Sequence, residues 1–171
     1  MDVFEAIKKR YSCRSYKDTK IRKEDLEQIL EAARLAPSAR NFQEWRFVVV
    51  QDKQTRETIC KEAAKGREFI AQAPVIIVCC ANITDYIMTC GQPAYPIDVA
   101  IAIDHMSFAA TELGIASCWI GAFFEDKLKK ILNIPDEIRV VDLLLLGYAA
   151  DERPEKKPRL KLSEIVKYES W

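Results

Sequence analysis

The sequence is poor in the residues that most cofactor and catalytic motifs need. It has five glycines in 171 residues, at 66, 91, 114, 121 and 147, and no two stand close together. That excludes both glycine-rich phosphate loops, G-x-G-x-x-G and the Walker A run. It has one histidine, so a Ser–His–Asp or Cys–His site must use His105. His105 sits beside Asp104 in an apolar helical stretch, which reads as an interior or interface histidine rather than a base. The six cysteines include no C-x-x-C pair, and no zinc-ligand spacing exists, so no metal site is expected. Cys79 and Cys80 lie in an apolar run and read as small core residues. This cysteine usage points to a reducing, cytoplasmic location. No local pairing of carboxylates suggests glycoside chemistry.

An excess of one charge is also missing. The 26 Lys and Arg balance 26 Asp and Glu, which argues against a nucleic-acid coat. No apolar run of about 18 residues exists, so no membrane span is expected. The opening MDVFEAIKKR has no apolar secretory core, and the closing Glu169-Ser170-Trp171 carries no lipidation motif. What is present is a chain 49% apolar and 30% charged. At roughly 150 residues per domain, residues 1–171 form one domain, with a C-terminal arm from about residue 150.

Val3, Phe4 and Ile7 share one helical face and predict a short opening helix. A basic stretch follows, Lys8 to Lys23, with only Asp18 opposing. Leu26, Ile29, Leu30 and Ala33 continue at helical spacing, and that helix must stop before Pro37. Residues 37–45 read as a loop, 47–50 as a strand, 55–64 as helical and 68–72 as a further turn. Residues 75–80 read as a fully buried strand, because they are apolar without alternation. The longest helix is expected over 97–113, capped by Gly114. Its apolar residues nearly encircle it, and such a helix is buried on all sides. It is either a central core helix or a dimer interface. A short strand over 115–120, a helix over 125–132 with Leu128, Ile131 and Leu132 inward, and a buried strand over 140–146 follow. The polar arm DERPEKKPRLK then leads to Leu160, Leu162, Ile165 and Val166, which want a docking surface on this subunit or a partner's.

Two basic clusters stand out. Arg10, Ser12 and Arg14 alternate in R-Y-S-C-R, and Lys157 and Arg159 alternate in K-P-R. In an extended segment alternate residues point the same way, so each cluster suits a phosphate. A solvated charged face is the alternative for either one alone. The loop Pro37-Ser38-Ala39-Arg40-Asn41-Phe42-Gln43 offers hydroxyl and amide groups to a heteroaromatic ring edge, or is a plain polar loop. Trp45 and Phe47 after it read as core.

R-x-S-x-R after a first short helix, A-P-S-A-x-N-x-Q-x-W, a helix ending E-L-G-I-A-S-C-W-I-G, then L-G-Y and a terminal K-x-R resemble the FMN-dependent nitroreductase family. The resemblance runs in order from Val3 to Val166. It implies an α+β fold, a three-layer α/β/α sandwich on a mainly antiparallel sheet. It implies a homodimer that exchanges the C-terminal arm and builds each FMN site from both subunits. Carried over by position, Arg10 and Ser12 would hold the FMN phosphate with Lys157 and Arg159, Tyr11 between them would belong to the cofactor site, and Arg14 would face the N1/O2 edge. Pro37, Ser38, Ala39, Asn41 and Gln43 would approach from the other subunit. Trp119, Ile120 and Gly121 would lie along the ring. The implied activity is hydride transfer from NADH or NADPH through flavin N5 to a nitroaromatic, quinone or similar small-molecule acceptor. No acid–base triad is needed, because the flavin carries the chemistry. Relatives of this shape also run dehalogenation and flavin fragmentation, or act as flavin sensors. A flavin-free module gripping a phosphorylated partner or nucleic acid is the rival from another class. Three features depart from the family pattern. Glu44 stands where Pro is common, which sets a carboxylate at the pocket mouth or on the surface. The chain is short between residues 80 and 95, where longer members carry a lid, which leaves the pocket open. Cys90 falls in that stretch and reads as a surface thiol or one near the flavin.

Overall fold

Four strands form one antiparallel sheet in the order β1-β2-β4-β3: β1 Trp45–Val50, β2 Val75–Ala81, β3 Ala116–Ile120 and β4 Arg139–Gly147. The structure is a computed structural model and describes residues 1–152, 154 and 157–171. Arg153, Glu155 and Lys156 of the predicted arm lie outside the described residues. All seven residues of β2 are buried, which is why its sequence shows no alternation. Ile76, Val78 and Cys80 face one side with Leu143 and Leu145 of β4. Ile77 and Cys79 face the other with Leu144 and Leu146.

Each face is covered by helices, giving the expected three layers. On the first lie α3 (Lys53–Thr58), a π-helical turn (Ile59–Ala63), α4 (Glu68–Gln72) and α6 (Glu125–Leu132). Leu128 of α6 is fully buried, with Ile131 and Leu132 packed around it. On the second lies α5 (Ala94–Glu112), with α2 (Lys23–Arg34) packed against it through Leu26, Ile29 and Ala33. Asp2 caps α1 (Val3–Lys9) in a capping box with Glu5. Gly114, at φ +72°, ends α5 in the left-handed conformation that glycine adopts freely.

The expectations for α5 need two corrections. It begins at Ala94, not Ile97, because Pro96 falls in the first turn, where a missing N–H breaks no helical bond. Of the two readings of its encircling apolar residues, the wholly central core helix is also corrected, because this chain by itself does not bury it all round. Val99, Ile103, Met106 and Ala110 are inside, but Ile97 is 43% exposed. With Pro96, Ile101, Asp104, His105 and Phe108, Ile97 lines an open groove that Trp119 completes. Of the two places expected for His105, an interior or an interface, the structure removes the first: it is exposed on this chain, its Nδ1 2.9 Å from the Ile101 carbonyl. The apolar residues of α1 (Val3, Phe4, Ile7) and of the tail (Leu160, Leu162, Ile165) are likewise exposed. Helix α7 (Leu162–Ile165) contains two of them.

Candidate functional site

The first basic cluster lies along the outer edge of β3. Ser12 bridges Ser117 in parallel, and the Cys13 N–H donates to the Ser117 carbonyl at 3.0 Å. Cys13 is fully buried and Tyr11 packs on the same core, while Ser12 and Arg14 are exposed and Arg10 half-buried. The alternation expected of an extended segment is thus present. It turns the Tyr11 side chain toward the core, so Tyr11 differs from Arg10, Ser12 and Arg14 in the side it presents. Tyr16 anchors the far end: its hydroxyl donates to the Cys13 carbonyl at 3.0 Å, and its backbone bridges Ala149.

The second cluster comes to the first across 147 residues. Lys157 Nζ donates to the Arg10 carbonyl and, at 3.2 Å, to that of Ile7. Arg159, two residues on, is exposed, and its guanidinium donates to the Pro158 carbonyl at 2.7 Å. Beside Arg10 a cavity of about 310 Å³ is lined by Tyr11, Thr111, Gly114 and Ser117. The Ser117 hydroxyl is buried without a hydrogen-bond partner among the described residues. Arg10 also acts on Asp104 of α5. Burial pushes the Asp104 carboxyl up, and Arg10 and His105 hold it partly down.

Trp119 and Ile120 end β3, and Gly121 follows it. Trp119 Nε1 donates to Ser107 Oγ at 2.9 Å, which fixes the indole against α5. The Ile120 N–H donates to Asp142 Oδ1 at 3.0 Å. Burial raises the Asp142 pKa to about 6, against the lowering effect of the Ile120 and Leu143 N–H groups. Ser107 and Asp142 were missed by sequence reasoning. The available signal was a polar residue inside an otherwise apolar element.

The loop Pro37–Gln43 sits elsewhere. It leads into β1, whose first residue, Trp45, pairs with Ala81 at the end of β2. Ser12 lies against β3 at Ser117, which pairs with Leu146 opposite the start of β2. The two sets therefore occupy diagonal corners of the sheet, on edge strands three interstrand steps, or about 14 Å, apart. Within the loop Ser38 Oγ accepts from the Gln43 N–H at 2.9 Å, and Asp98 Oδ2 accepts from the Ala39 N–H at 2.8 Å. Arg40, Asn41 and Gln43 all have positive φ, at 50°, 58° and 51°. Such a run of left-handed non-glycine residues is strained, and strain of this kind gathers at ligand clamps. Glu44 corrects an expectation outright. It is neither on the surface nor at a mouth but 1% exposed.

Between β2 and α5 no helix is present among the described residues, as the short sequence implied. The segment folds back through an Ile87–Pro93 bridge and sets Tyr86 edge-on to Phe42, under the Arg40 guanidinium. Cys90 is exposed and the other five cysteines are buried.

The sequence profile of the Nitroreductase family matches residues 7–66 and 59–148. The chain belongs to the nitroreductase family. A nitroreductase family protein of Clostridium difficile is 40% identical, with both chains covered in full and a TM-score of 0.90. One from Clostridium novyi is 36% identical over 88% of this chain and 87% of its own, at a TM-score of 0.82. An "FMN reductase [NAD(P)H]" of Bacillus subtilis is 32% identical over 187 residues, 99% of this chain and 74% of the relative. For a nitroreductase, the absence of a titratable triad is no gap in the site. No helix among the described residues is long and apolar enough to cross a membrane, and none of their side chains cluster as a metal site.

Proposed function

We propose that this nitroreductase is an FMN-dependent NAD(P)H oxidoreductase that works as a homodimer on electron-poor small molecules such as nitroaromatics and quinones. The observation that carries this reading is the diagonal placement of the two polar sets. One ring cannot be held by both corners of one sheet, but a second copy can bring its loop to the first copy's basic edge. The exposed apolar faces of α1, α5 and the tail supply surface for that second copy, and burying each such side chain contributes about 1.5–3 kcal/mol.

The residues fit the cofactor. Lys157 meets the Arg10 backbone, beside a buried Ser117 hydroxyl that has no partner among the described residues. With Ser12 and Arg159 they would hold a phosphate, the arginines through two-pronged hydrogen bonds and the lysine as a point charge. Arg14 is in no ion pair among the described residues and would set its charge against the ring's N1/O2 edge. A fixed cation there favours the negative charge that gathers on reduction. Trp119, Ile120 and Gly121 would lie along the ring, held by Ser107 and Asp142. Pro37, Ser38, Ala39, Asn41 and Gln43 would come from the second subunit. Bound FMN supplies the chemistry, taking a hydride from NADH or NADPH and passing it to the acceptor.

Steady-state rates test this. With NADH or NADPH varied at several fixed quinone concentrations, the FMN-loaded protein should give parallel double-reciprocal lines, the mark of a ping-pong cycle. Absence of turnover with either nicotinamide and both acceptor classes contradicts the reading.

A further inference from the structure

Arg40 stands in the Pro37–Gln43 loop between Ala39 and Asn41, yet none of the cofactor contacts proposed above uses it. It is exposed and in no ion pair among the described residues. Other exposed arginines are neutralised: Arg22 pairs with Asp25, Arg34 with Glu31 and Arg139 with Glu125, at 2.6, 2.6 and 3.0 Å. The acids of this region do not do the same for Arg40. Asp98 is buried and accepts from the Ala39 N–H, Glu44 is buried, and Asp85 is exposed without an ion pair among the described residues.

The unpaired charge is nevertheless held in place. The Arg40 backbone is left-handed, at φ 50°, inside a turn closed by two hydrogen bonds. The Asn41 N–H donates to the Ser38 carbonyl at 3.0 Å, and the Phe42 N–H to the Ala39 carbonyl at 3.1 Å. The guanidinium carbon lies 4.9 Å from the centre of the Tyr86 ring. That ring meets Phe42 edge-on, with 5.1 Å between centres. A guanidinium is attracted to an aromatic face and keeps its in-plane N–H donors for another partner. Phe42 and Tyr86 are only half-buried, so each leaves part of a ring for a flat ligand to touch. Arg40 sets a two-pronged donor beside them, in the geometry that suits a carboxylate. Tyr86 comes from the short segment between β2 and α5, where no helix among the described residues covers the place.

We infer that Arg40 is a specificity-determining residue, which selects aromatic acceptors carrying a carboxylate or similar acidic group over neutral ones. The inference rests on the functional reading above, which brings this loop to the flavin ring. What Arg40 adds is the charge of the acceptor.

The test compares para-nitrobenzoate with its methyl ester, which present the same nitro group with and without a negative charge. kcat/KM is measured for both with the FMN-loaded protein and NADH, in the wild type, R40K and R40Q. The ratio of acid to ester should fall about tenfold in R40Q, the loss expected for one charge-assisted hydrogen bond. Comparing variants cancels the intrinsic reactivities of the two acceptors. R40K should fall between the two, because a point charge replaces the fork. Added salt should lower the ratio more steeply in the wild type than in R40Q. Turnover of the ester, FMN affinity and thermal midpoint should be alike in all three proteins, which separates a lost charge from a disturbed loop. Equal acid-to-ester ratios in the wild type and R40Q would overturn the inference. So would a fall confined to the NADPH-to-NADH ratio, which would make the cosubstrate's phosphate the anion. If no form reduces the ester, the functional reading itself fails and the inference falls with it.

Discussion

Replacing Arg10 by alanine should weaken FMN binding about a hundredfold, or about 3 kcal/mol, with little change in thermal stability. Arg10 is half-buried and is in no ion pair among the described residues; Asp104 is the carboxyl its charge acts on. Lys157 is held by the Arg10 carbonyl, not by its side chain, so the substitution leaves the lysine in place. What is lost is a planar fork able to hold two phosphate oxygens at once. Arg10→Lys should therefore recover only part of the affinity, because a point charge replaces two aligned donors. Flavin fluorescence titration measures both. Wild-type affinity in both variants would remove Arg10 from the site.

The second large effect is expected at Gly147, the glycine of L-G-Y. Its φ is not positive, so the requirement is for space. A Cβ there would lie 2.6 Å from Pro74 Cδ and 2.7 Å from Tyr16 Cδ1. Neither can yield easily. Pro74 is a ring, and Tyr16 is buried and bonded to the Cys13 carbonyl. Gly147→Ala should cost about 2–3 kcal/mol and lower Tm by about 5–10 °C. Because Tyr16 anchors the segment carrying Arg10, Ser12 and Arg14, FMN affinity should fall with stability. In Arg10→Ala the two are separated. A Gly147→Ala protein as stable as the wild type would show that the chain bends around the added methyl at no cost.

The elements legible in the sequence were those whose neighbours lie close along the chain or whose burial is uniform. β2 shows as an unbroken apolar run, β4 as one interrupted only by Asp142, and α6 shows its Leu128, Ile131 and Leu132 stripe. The start of α5 was hidden by Pro96, which breaks a helix interior but not a first turn. The burial of Glu44 was invisible because a carboxylate normally stays in water, and nothing beside it in the sequence marks it as inside. His105 was read as an interior or interface histidine, and the structure removes the interior. An encircling apolar pattern reports total hydrophobicity, and one face of α5 is left open by this chain alone. Of the site, R-x-S-x-R was legible because period-two alternation is local. Its meeting with Lys157 was not, since only the fold brings them together.

The central claim is tested most directly by the visible absorption spectrum of the purified protein, supplied with FMN, desalted, and then given NADH or NADPH without oxygen. The account predicts flavin bands that travel with the protein and bleach on addition of the nicotinamide. A protein that stays colourless after FMN is supplied would contradict it.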